Sequence, residues 1–482
     1  MTYENPRTGT SERTTPVLQT NEGWGDLTTL RVYLVTPAFP PELGGQEQHL
    51  HALAEALIAQ GAQVSVFTRR LQKDFAPREQ VGSVPVVRFS PIGESRGKGW
   101  KAVFPLMLLL GKITYRLIRD ARRYDVVLVS GFNITPFAAI VASFFTRKPV
   151  VVRPESPLEL SNGIGPESRE KMGLSQDSMA VRLYHALRRG AARRVDRYIA
   201  ISAQIRRQLL DTGIAPGAIT AIPNGIDASR FSPVTPAEKA KLRAALGLPV
   251  HQRLLIYTGR MAHSKGVLTL VDIWRELAPA HPDTHLVMVG SGLGSTDDCE
   301  NELREFVCDT QLTDRVTFAG NVANVPEYLQ ASDIFVFPSD AEGFGLSIIE
   351  AMAVGLPGVS TRVGVAADLA PELQGSLLVV PPQDHTAFKE ALETLLSDHA
   401  LEASMASRTR EAVEANYSMQ VVAQRHLAVL ELLANPAARA ADARQQQNLW
   451  QLRLEEAAGS GVEHEPSAER DERKQGTGAN GV

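Results

Sequence analysis

The chain has 482 residues, about three times the ~150 residues of an average domain, so its length predicts two domains and excludes a single small module. Hydrophobic residues make up 44% of it and charged residues 22%, which excludes a wholly disordered or fibrous chain. The formal net charge is −4, which excludes a globally basic nucleic-acid binder.

The number and spacing of the cysteines indicate the cellular compartment of the protein. The chain contains only Cys299 and Cys308. If 297–311 form one helix, the two residues lie roughly 13 Å apart along its axis, which is too far for a disulfide. We therefore predict a protein of the reducing cytoplasm, and two cysteines also exclude a cysteine-rich zinc module.

Apolar strands and helical patterns follow one another along most of the chain. Residues 1–28 are polar and predict a disordered leader. The predicted strands before a turn-forming cluster at Asn224 to Asp227 are 30–35, 63–68, 84–89, 125–129, 150–152 and 198–201. Those after it are 254–258, 285–289, 316–319, 334–337, 358–360 and 377–380. This alternation predicts an α/β fold with two Rossmann-like, doubly wound parallel sheets.

The turn cluster divides the chain into predicted domains 29–225 and 226–410. The uncharged stretch 126–146 is broken by turn residues, so we interpret it as a buried strand, a turn and a short helix rather than a membrane span. Helical periodicity continues to about residue 433. Residues 436–482 contain few large apolar side chains and predict a disordered tail.

A glycine pair, Gly44-Gly45, follows the first strand and precedes a helical pattern. Paired glycines let backbone amides approach an anion at the positive end of a helix. A purely structural strand-to-helix turn explains the pair equally well. His49, in the helical pattern itself, is better explained as a packing or surface residue than as a catalytic one.

Two cations follow the first strand of the second half. Arg260 comes directly after Gly259 at the end of this strand, and Lys265 heads the next helical pattern. An arginine fork and a lysine point charge at the carboxyl end of a parallel strand suit a diphosphate. An exposed, solvated loop remains the alternative.

Two carboxylates bracket a helix start after the predicted strand 334–337. Glu342 precedes this helix and Glu350 lies in its second turn, so both could accept hydrogen bonds from hydroxyls. Backbone amides at the helix start could hold a phosphate. Glu342 as a simple helix-dipole charge and Glu350 as a polar-face residue stay open.

Taken in order, these blocks resemble the family 4 retaining glycosyltransferases of the GT-B type, from about residue 30 to 433. The resemblance is carried by Pro41 with Gly44-Gly45, 196–202, 222–227 with Phe231 and Pro233, Gly259-Arg260 with Lys265-Gly266, and Glu342 through Glu350 with Gly355 and Pro357. It implies transfer of a sugar from a UDP- or GDP-sugar to a hydroxyl of a glycolipid, polysaccharide or small glycoside, with retained anomeric configuration.

The resemblance also implies roles for individual residues. The donor would lie on the second domain, with Arg260 and Lys265 on its diphosphate, Glu350 on the ribose and Glu342 on sugar hydroxyls. Further donor contacts are implied for Gly259, Gly343, Phe344, Gly345, Leu346 and Ser347, with Gly44 and Gly45 facing them from the acceptor-side first domain. The helical segment 411–435 would cross back to the first domain.

Two segments depart from the family pattern. Many members have a histidine after the strand that here ends at Arg153-Pro154-Glu155, and this chain has none. Arg153 and Glu155 become candidate acceptor residues, with packing or ion pairing as the alternative. The segment 363–367 lacks the glycine pair and glutamate common in relatives.

The expected chemistry needs no cofactor. Cations and helix-start amides can stabilise a leaving nucleoside diphosphate, and the chain has no Asp-x-Asp cluster that would indicate a metal. The family implies front-face attack, in which the leaving phosphate helps take the acceptor proton. The alternatives are an inactive nucleotide-sugar-binding protein on the same scaffold and, less well supported, a dinucleotide-dependent oxidoreductase, whose Gly-x-Gly-x-x-Gly motif is missing.

Positive charge is concentrated in the first half. Between Lys101 and Leu210 there are 19 Lys or Arg and 8 Asp or Glu, a net charge of +11. The arginines that crowd one predicted helix are Arg182, Arg188, Arg189, Arg193, Arg194 and Arg197. They predict either peripheral contact with an anionic membrane at its inner face or a solvated basic surface.

Overall fold

The structure, a computed structural model, describes residues 29–445 except for 42–43, 92–99, 133–134, 157–178, 294–296, 370–372, 374 and 407–408. The leader predicted for 1–28 lies outside the described residues.

Eight strands form the first sheet. They are β1 (Arg31–Val35), β2 (Gln63–Arg69), β3 (Arg78–Val81), β4 (Val84–Phe89), β5 (Val126–Ser130), β6 (Val150–Arg153), β7 (Arg197–Ala200) and β8 (Ile219–Ala221). The order across the sheet is β3-β4-β2-β1-β5-β6-β7-β8. All neighbours pair in parallel except β3 and β4. Since β2 and β5 lie on opposite sides of β1, a crevice opens at the carboxyl ends of these strands.

Six parallel strands form the second sheet. They are β9 (Arg253–Thr258), β10 (Thr284–Val289), β11 (Val316–Gly320), β12 (Ile334–Phe337), β13 (Gly358–Thr361) and β14 (Leu377–Val380). Their order is β11-β10-β9-β12-β13-β14, which places the reversal of strand order between β9 and β12. The predicted pair of parallel α/β sheets is confirmed.

Helices cover the faces of both sheets. Those associated with the first half are α1 (Gly45–Ala59), α2 (Trp100–Arg119), α3 (Thr135–Thr146), α4 (Met179–Ala192) and α5 (Ala203–Asp211). Those of the second half are α6 (Pro236–Ala245), α7 (Val267–Leu277), α8 (Glu300–Asp309), α9 (Val325–Ala331), α10 (Leu346–Ala353), α11 (His385–Ser397), α12 (His399–Ala406), α13 (Thr409–Tyr417) and α14 (Met419–Ala434). Strands such as β5 are buried along their whole length, which explains their unbroken apolar sequence.

The chain passes between the two sheets at two adjacent points. The Ile226 amide donates to the Tyr417 carbonyl at 2.8 Å, and the Met419 amide donates to the Ile226 carbonyl at 2.8 Å. Helix α14 then packs against α1 of the first sheet. A side chain at Gly225 would lie 3.0 Å from the Met419 Cα, so a glycine lets the two crossings approach each other.

Several features differ from the sequence prediction. Strands β3 and β8 were not predicted, because β3 is a short antiparallel edge strand of polar residues and β8 has only three residues. The tail prediction for 436–482 is wrong for 436–445, which are helical. This alanine-rich segment has high helix propensity, and Asp442 forms an ion pair with Arg197. Residues 446–482 lie outside the described residues.

The uncharged stretch 126–146 forms β5 and α3, as predicted. Within the part of the chain that the structure describes, no helix is long and apolar enough to cross a membrane. Cys299 is buried just before α8 and Cys308 is exposed in its last turn, and both are free thiols.

Candidate functional site

The loops after β9 and β12 meet because these strands are parallel neighbours in the second sheet. Gly266, at the end of the first loop, has a φ of +66°, and a Cβ there would lie 2.2 Å from the Pro338 carbonyl oxygen of the second. The Asp340 amide donates to the Ser264 carbonyl at 3.0 Å. The fold therefore brings the predicted 259–266 and 338–350 motifs into direct contact.

Lys265 and Glu342 form an ion pair at this junction, with 2.6 Å between Nζ and Oε1. Their side chains are only 14% and 13% exposed, which shields the pair from solvent. The Arg260 side chain is exposed, and its carbonyl accepts a hydrogen bond from the Tyr257 hydroxyl at 2.8 Å. Burial, reinforced by the Glu342 charge, raises the pKa of Tyr257 well above its ordinary value. The Tyr257 hydroxyl is therefore neutral, and it lies near the charges of Arg260 and Glu342.

Helix α10 begins with no side chain capping its first turn. Gly345 precedes it with a φ of +85°, a conformation that favours glycine. Ser347 is partly exposed at this start. An uncapped helix start leaves backbone amides and partial positive charge for an anion. Phe344 differs from its neighbours, because its side chain is buried and it offers the site only backbone atoms.

Glu350 points from the second turn of α10 and accepts no hydrogen bond from any described residue. Loss of solvent raises its pKa to about 7, and the positive charge of Arg230 opposes this only in part. A carboxyl group that accepts no hydrogen bond within the described part of the chain, beside an uncapped helix start, is available to hydroxyl groups of a ligand.

Residues of the first sheet approach the start of α10. A Cβ at Gly45 would lie 3.9 Å from Leu346 Cδ1, so the starts of α1 and α10 lie close to each other. Gly44 precedes α1, and no side chain caps this helix either. A Cβ at Gly343 would lie 2.1 Å from the Glu155 carbonyl oxygen. Loops and helix starts of the two domains are therefore in contact at the predicted donor loop.

Arg153 and Glu155 bind each other, with 2.9 Å between Arg153 Nη1 and Glu155 Oε1. The Ser130 hydroxyl also donates to Glu155 Oε1, at 2.6 Å. Burial raises the pKa of Glu155, although Arg153 partly opposes the shift. The Arg153 side chain is 1% exposed, which favours the ion-pairing alternative, and acceptor contact by Arg153 or Glu155 stays a prediction.

A buried polar network missed by sequence reasoning surrounds Arg153. The guanidinium donates to Asn224 Oδ1, next to the first crossing between the sheets. His49 Nε2 accepts a hydrogen bond from the Gly225 amide at 3.0 Å. Burial, with the nearby Arg153 charge, lowers the pKa of His49 well below its ordinary value. His49 is therefore a neutral packing residue at the crossing, and the turn-forming cluster from Asn224 to Asp227 was the sequence signal that lay nearest to this network.

Two family models match the chain. The model "Glycosyltransferase Family 4" matches residues 43–230, and the model "Glycosyl transferases group 1" matches residues 252–398. Together they cover every strand of the two sheets except β1 and include every predicted donor contact.

Named relatives are similar to this chain over different lengths. The lipopolysaccharide core biosynthesis mannosyltransferase LpsB of Rhizobium meliloti is 34% identical over 44% of this chain, an alignment that covers 61% of LpsB itself. The D-inositol 3-phosphate glycosyltransferase of Acidothermus cellulolyticus is 26% identical over 70% of this chain and 75% of its own length.

Solved structures share the fold at lower identity. Sucrose-phosphate synthase from Thermosynechococcus elongatus has a TM-score of 0.67 at 24% identity, covering 84% of this chain and 99% of that protein. HepE from Anabaena, solved with UDP and glucose, has a TM-score of 0.64 at 22% identity, covering 83% of this chain and 99% of its own. The two-sheet architecture is thus the GT-B fold, and the chain belongs to the family 4 glycosyltransferases of group 1.

Proposed function

We propose that the chain transfers a sugar from a nucleotide-sugar donor to a hydroxyl acceptor, with retention of anomeric configuration and without a metal. The observation that carries this proposal is the Glu350 carboxyl, which no described residue hydrogen-bonds, beside the uncapped start of α10 and next to the Lys265–Glu342 ion pair. Amides, a cation and two carboxyl groups match the phosphates and hydroxyls of a sugar nucleotide in one place.

Each group has a distinct task in this proposal. Arg260, Lys265 and the α10 amides take the diphosphate, whose negative charge grows as the glycosidic bond breaks. Glu350 accepts hydrogen bonds from the ribose, and Glu342 accepts them from the transferred sugar. The leaving phosphate takes the acceptor proton during front-face attack. The absence of an Asp-x-Asp sequence supports a reaction that relies on these cations rather than a metal.

The donor is proposed to be a UDP- or GDP-sugar. HepE was solved with UDP and with UDP-glucose, and a Corynebacterium glutamicum relative is named a GDP-mannose-dependent mannosyltransferase. The names of LpsB and of this relative favour a cell-envelope glycolipid or polysaccharide as acceptor, with a small glycoside as the alternative.

The test is a panel of UDP- and GDP-sugars incubated with the purified chain and candidate acceptors, with and without EDTA, and read by mass spectrometry. We expect one donor to be consumed, its nucleoside diphosphate to be released, and EDTA to have no effect. NMR of the product should show the donor's anomeric configuration. Tight donor binding without turnover for any acceptor or water would favour the inactive binding protein.

We propose that the domain boundaries follow the two crossings, with 29–225 as the acceptor-side domain, 226–410 as the donor domain and 411–435 returning to the first. The adjacent hydrogen bonds of Ile226 with Tyr417 and Met419 support a hinge at this point.

A specific observation also favours peripheral contact of the first domain with an anionic membrane from the cytoplasmic side. Phe144 and Phe145 on α3 are 59% and 71% exposed, and Met107 and Tyr115 on the adjacent α2 are exposed as well. Arg194 stacks over the Phe144 ring at 5.2 Å. Exposed aromatic groups beside cations suit a lipid headgroup region.

The basic face is smaller than the sequence predicts. Arg188 is buried over the Phe132 ring, and Arg197 is buried and paired with Asp442. Flotation with anionic and neutral vesicles tests the membrane contact, using Phe144→Ser/Phe145→Ser as the variant. We expect the wild-type chain to bind anionic vesicles and the double variant to lose this binding. Equal failure to bind both vesicles would reject the contact.

A further inference from the structure

A cavity of about 370 Å³ lies between the two sheets, beyond the predicted donor contacts. Gln204, Arg207 and Gln208 of α5 line it on the first-domain side. The loops after β12 and β13 line it on the other side, with Asp340 and Arg362 as their charged groups. Its volume is that of a small-molecule site.

Some polar groups in the cavity wall make no hydrogen bond with the residues that the structure describes. Gln208 Oε1 is buried and accepts no hydrogen bond from any of them. The side chains of Arg207 and Arg362 make no hydrogen bond with any described residue. Asp368 lies near enough to Arg207 for their charges to attract, and its carboxylate also accepts a hydrogen bond from the Ala203 amide at the start of α5. Two guanidinium groups and an amide oxygen are therefore open to a ligand.

The cavity adjoins the sugar end of the proposed donor site. Gly364, in its wall, has a φ of +50°, and a Cβ there would lie 2.2 Å from the Phe344 carbonyl oxygen and 3.0 Å from Glu342 Cβ. Asp340 and Ala341, also in the wall, directly precede Glu342. The segment 363–367 that departs from the family pattern thus forms one side of a ligand-sized space.

We propose that this cavity is an acceptor subsite that takes an anionic sugar group, either phosphorylated or carboxylated. Arg207 and Arg362 bind the anion, because guanidinium forks match the oxygens of phosphate and carboxylate. Gln204, Gln208 and Asp340 bind the sugar hydroxyls. Arg207 lies on a helix of the first domain and Arg362 lies in a loop of the second, so the bound anion links the two domains. The acceptor hydroxyl then extends towards Glu342. This inference rests on the proposed transferase function.

Titration of the full chain with glucose 6-phosphate, glucuronate and glucose tests the subsite, with heat of binding as the readout. We expect at least one of the two anionic sugars to bind tenfold or more tightly than glucose, and the comparison of the two identifies the anion. Arg207→Ala/Arg362→Ala should weaken that binding at least tenfold. Arg206→Ala, which removes an exposed arginine on α5 outside the cavity, should leave it unchanged.

Equal affinity for charged and neutral sugars, or unchanged affinity in the double variant with a wild-type circular dichroism spectrum, would overturn the subsite. UDP and GDP are titrated against the same proteins and should bind the double variant as they bind wild type. A tenfold loss there would assign the arginines to the donor instead. If the wild type binds neither nucleotide while anionic sugars still require Arg207, the proposed function fails and the anionic-sugar site stands.

Discussion

Lys265 Nζ lies 2.6 Å from Glu342 Oε1, so the cation proposed for the diphosphate and the carboxylate proposed for the sugar hold each other in the ligand-free protein. A donor that enters between them would exchange this contact for a phosphate on the lysine and hydroxyls on the glutamate. The pair keeps both side chains ordered before binding, which lowers the entropy lost when the donor binds.

Replacing Lys265 by alanine should lower the single-turnover transfer rate on the order of 10²–10³-fold, because its charge matters most as the diphosphate leaves. Arg260→Ala should behave in the same way. Donor affinity should change less than the rate. Lys241→Ala, which removes an exposed lysine of α6, is the control. Wild-type rates in both folded variants would show that the donor site lies elsewhere.

Glu342→Gln should separate sugar recognition from nucleotide recognition. The amide is a poorer acceptor for sugar hydroxyls, so transfer should fall. Free nucleoside diphosphate should bind as well as before or better, because Lys265 loses its carboxylate partner. Calorimetry with UDP and GDP, beside transfer rates with the matching sugar nucleotides, measures both effects. A parallel loss of both would show that Glu342 acts by holding Lys265 in place for the diphosphate and not by contacting the sugar.

The sequence predicts the donor motifs well because each is local: a strand end, a glycine and a helix start occur together in a short segment. Gly345 and Glu350 illustrate this, since one element, α10, positions both. Contacts between distant segments are different. The pairing of Arg153 with Glu155 is short-range, yet its burial depends on His49 and Asn224, which only the folded chain brings to it.

The α5 cavity shows the same limit more clearly. No pattern within 204–208 or 362–367 indicates that their side chains meet, because the meeting depends on how the two sheets face each other. Short strands at the edge of a sheet are also difficult to predict from the sequence. Strand β3 has three polar residues and one valine over only four positions, which is too short and too polar a segment to separate a strand from a loop.

Glu350 should make donor binding depend on pH. Its pKa is raised to about 7, so the carboxylate that best accepts ribose hydrogen bonds forms as the pH rises through 7. Between pH 6 and 8 the ionised fraction rises about tenfold, so affinity for UDP-glucose or GDP-mannose should tighten by up to about that factor. Neither UDP-glucose nor GDP-mannose gains or loses a proton between pH 6 and 8, so the dependence would come from the protein. Calorimetry at several pH values should show no such dependence for Glu350→Gln.

The same carboxyl should weaken the ligand-free fold at high pH. Because its pKa is higher in the folded than in the unfolded chain, the folded state binds more protons between the two values, and stability falls as the pH rises through that window. Glu350→Gln should therefore raise Tm at pH 8 and leave it nearly unchanged at pH 4. An equal Tm change at both values would contradict the burial of an ionised carboxylate.

Gly343→Ala should separate the two sheets locally. The new Cβ would lie 2.1 Å from the Glu155 carbonyl oxygen, and two backbone segments must then move apart. We expect transfer to fall at least tenfold with little change in Tm. Gly190→Ala is the matched control, because that position in α4 has open space around it. Wild-type transfer by Gly343→Ala would show that the Glu155 contact opens during the reaction.

The helical segment 436–445 should stabilise the first domain. Asp442 pairs with Arg197, a buried cation that also donates a 3.3 Å hydrogen bond to the Thr220 hydroxyl of β8. Ending the chain at residue 445 should leave both stability and transfer unchanged. Ending it at Asn435 should cost about 2–3 kcal/mol in the free energy of unfolding, because the buried guanidinium loses its carboxylate.

Urea denaturation of the two truncations, with Asp442→Asn in the full chain, measures this contribution. Asp442→Asn keeps the helix and removes only the charge, so it should reproduce most of the loss. Transfer per folded molecule should match wild type in all three proteins, because the segment contacts β7 rather than the donor loops. A loss of transfer confined to the shorter truncation, at full stability, would instead assign 436–445 a role in binding the acceptor.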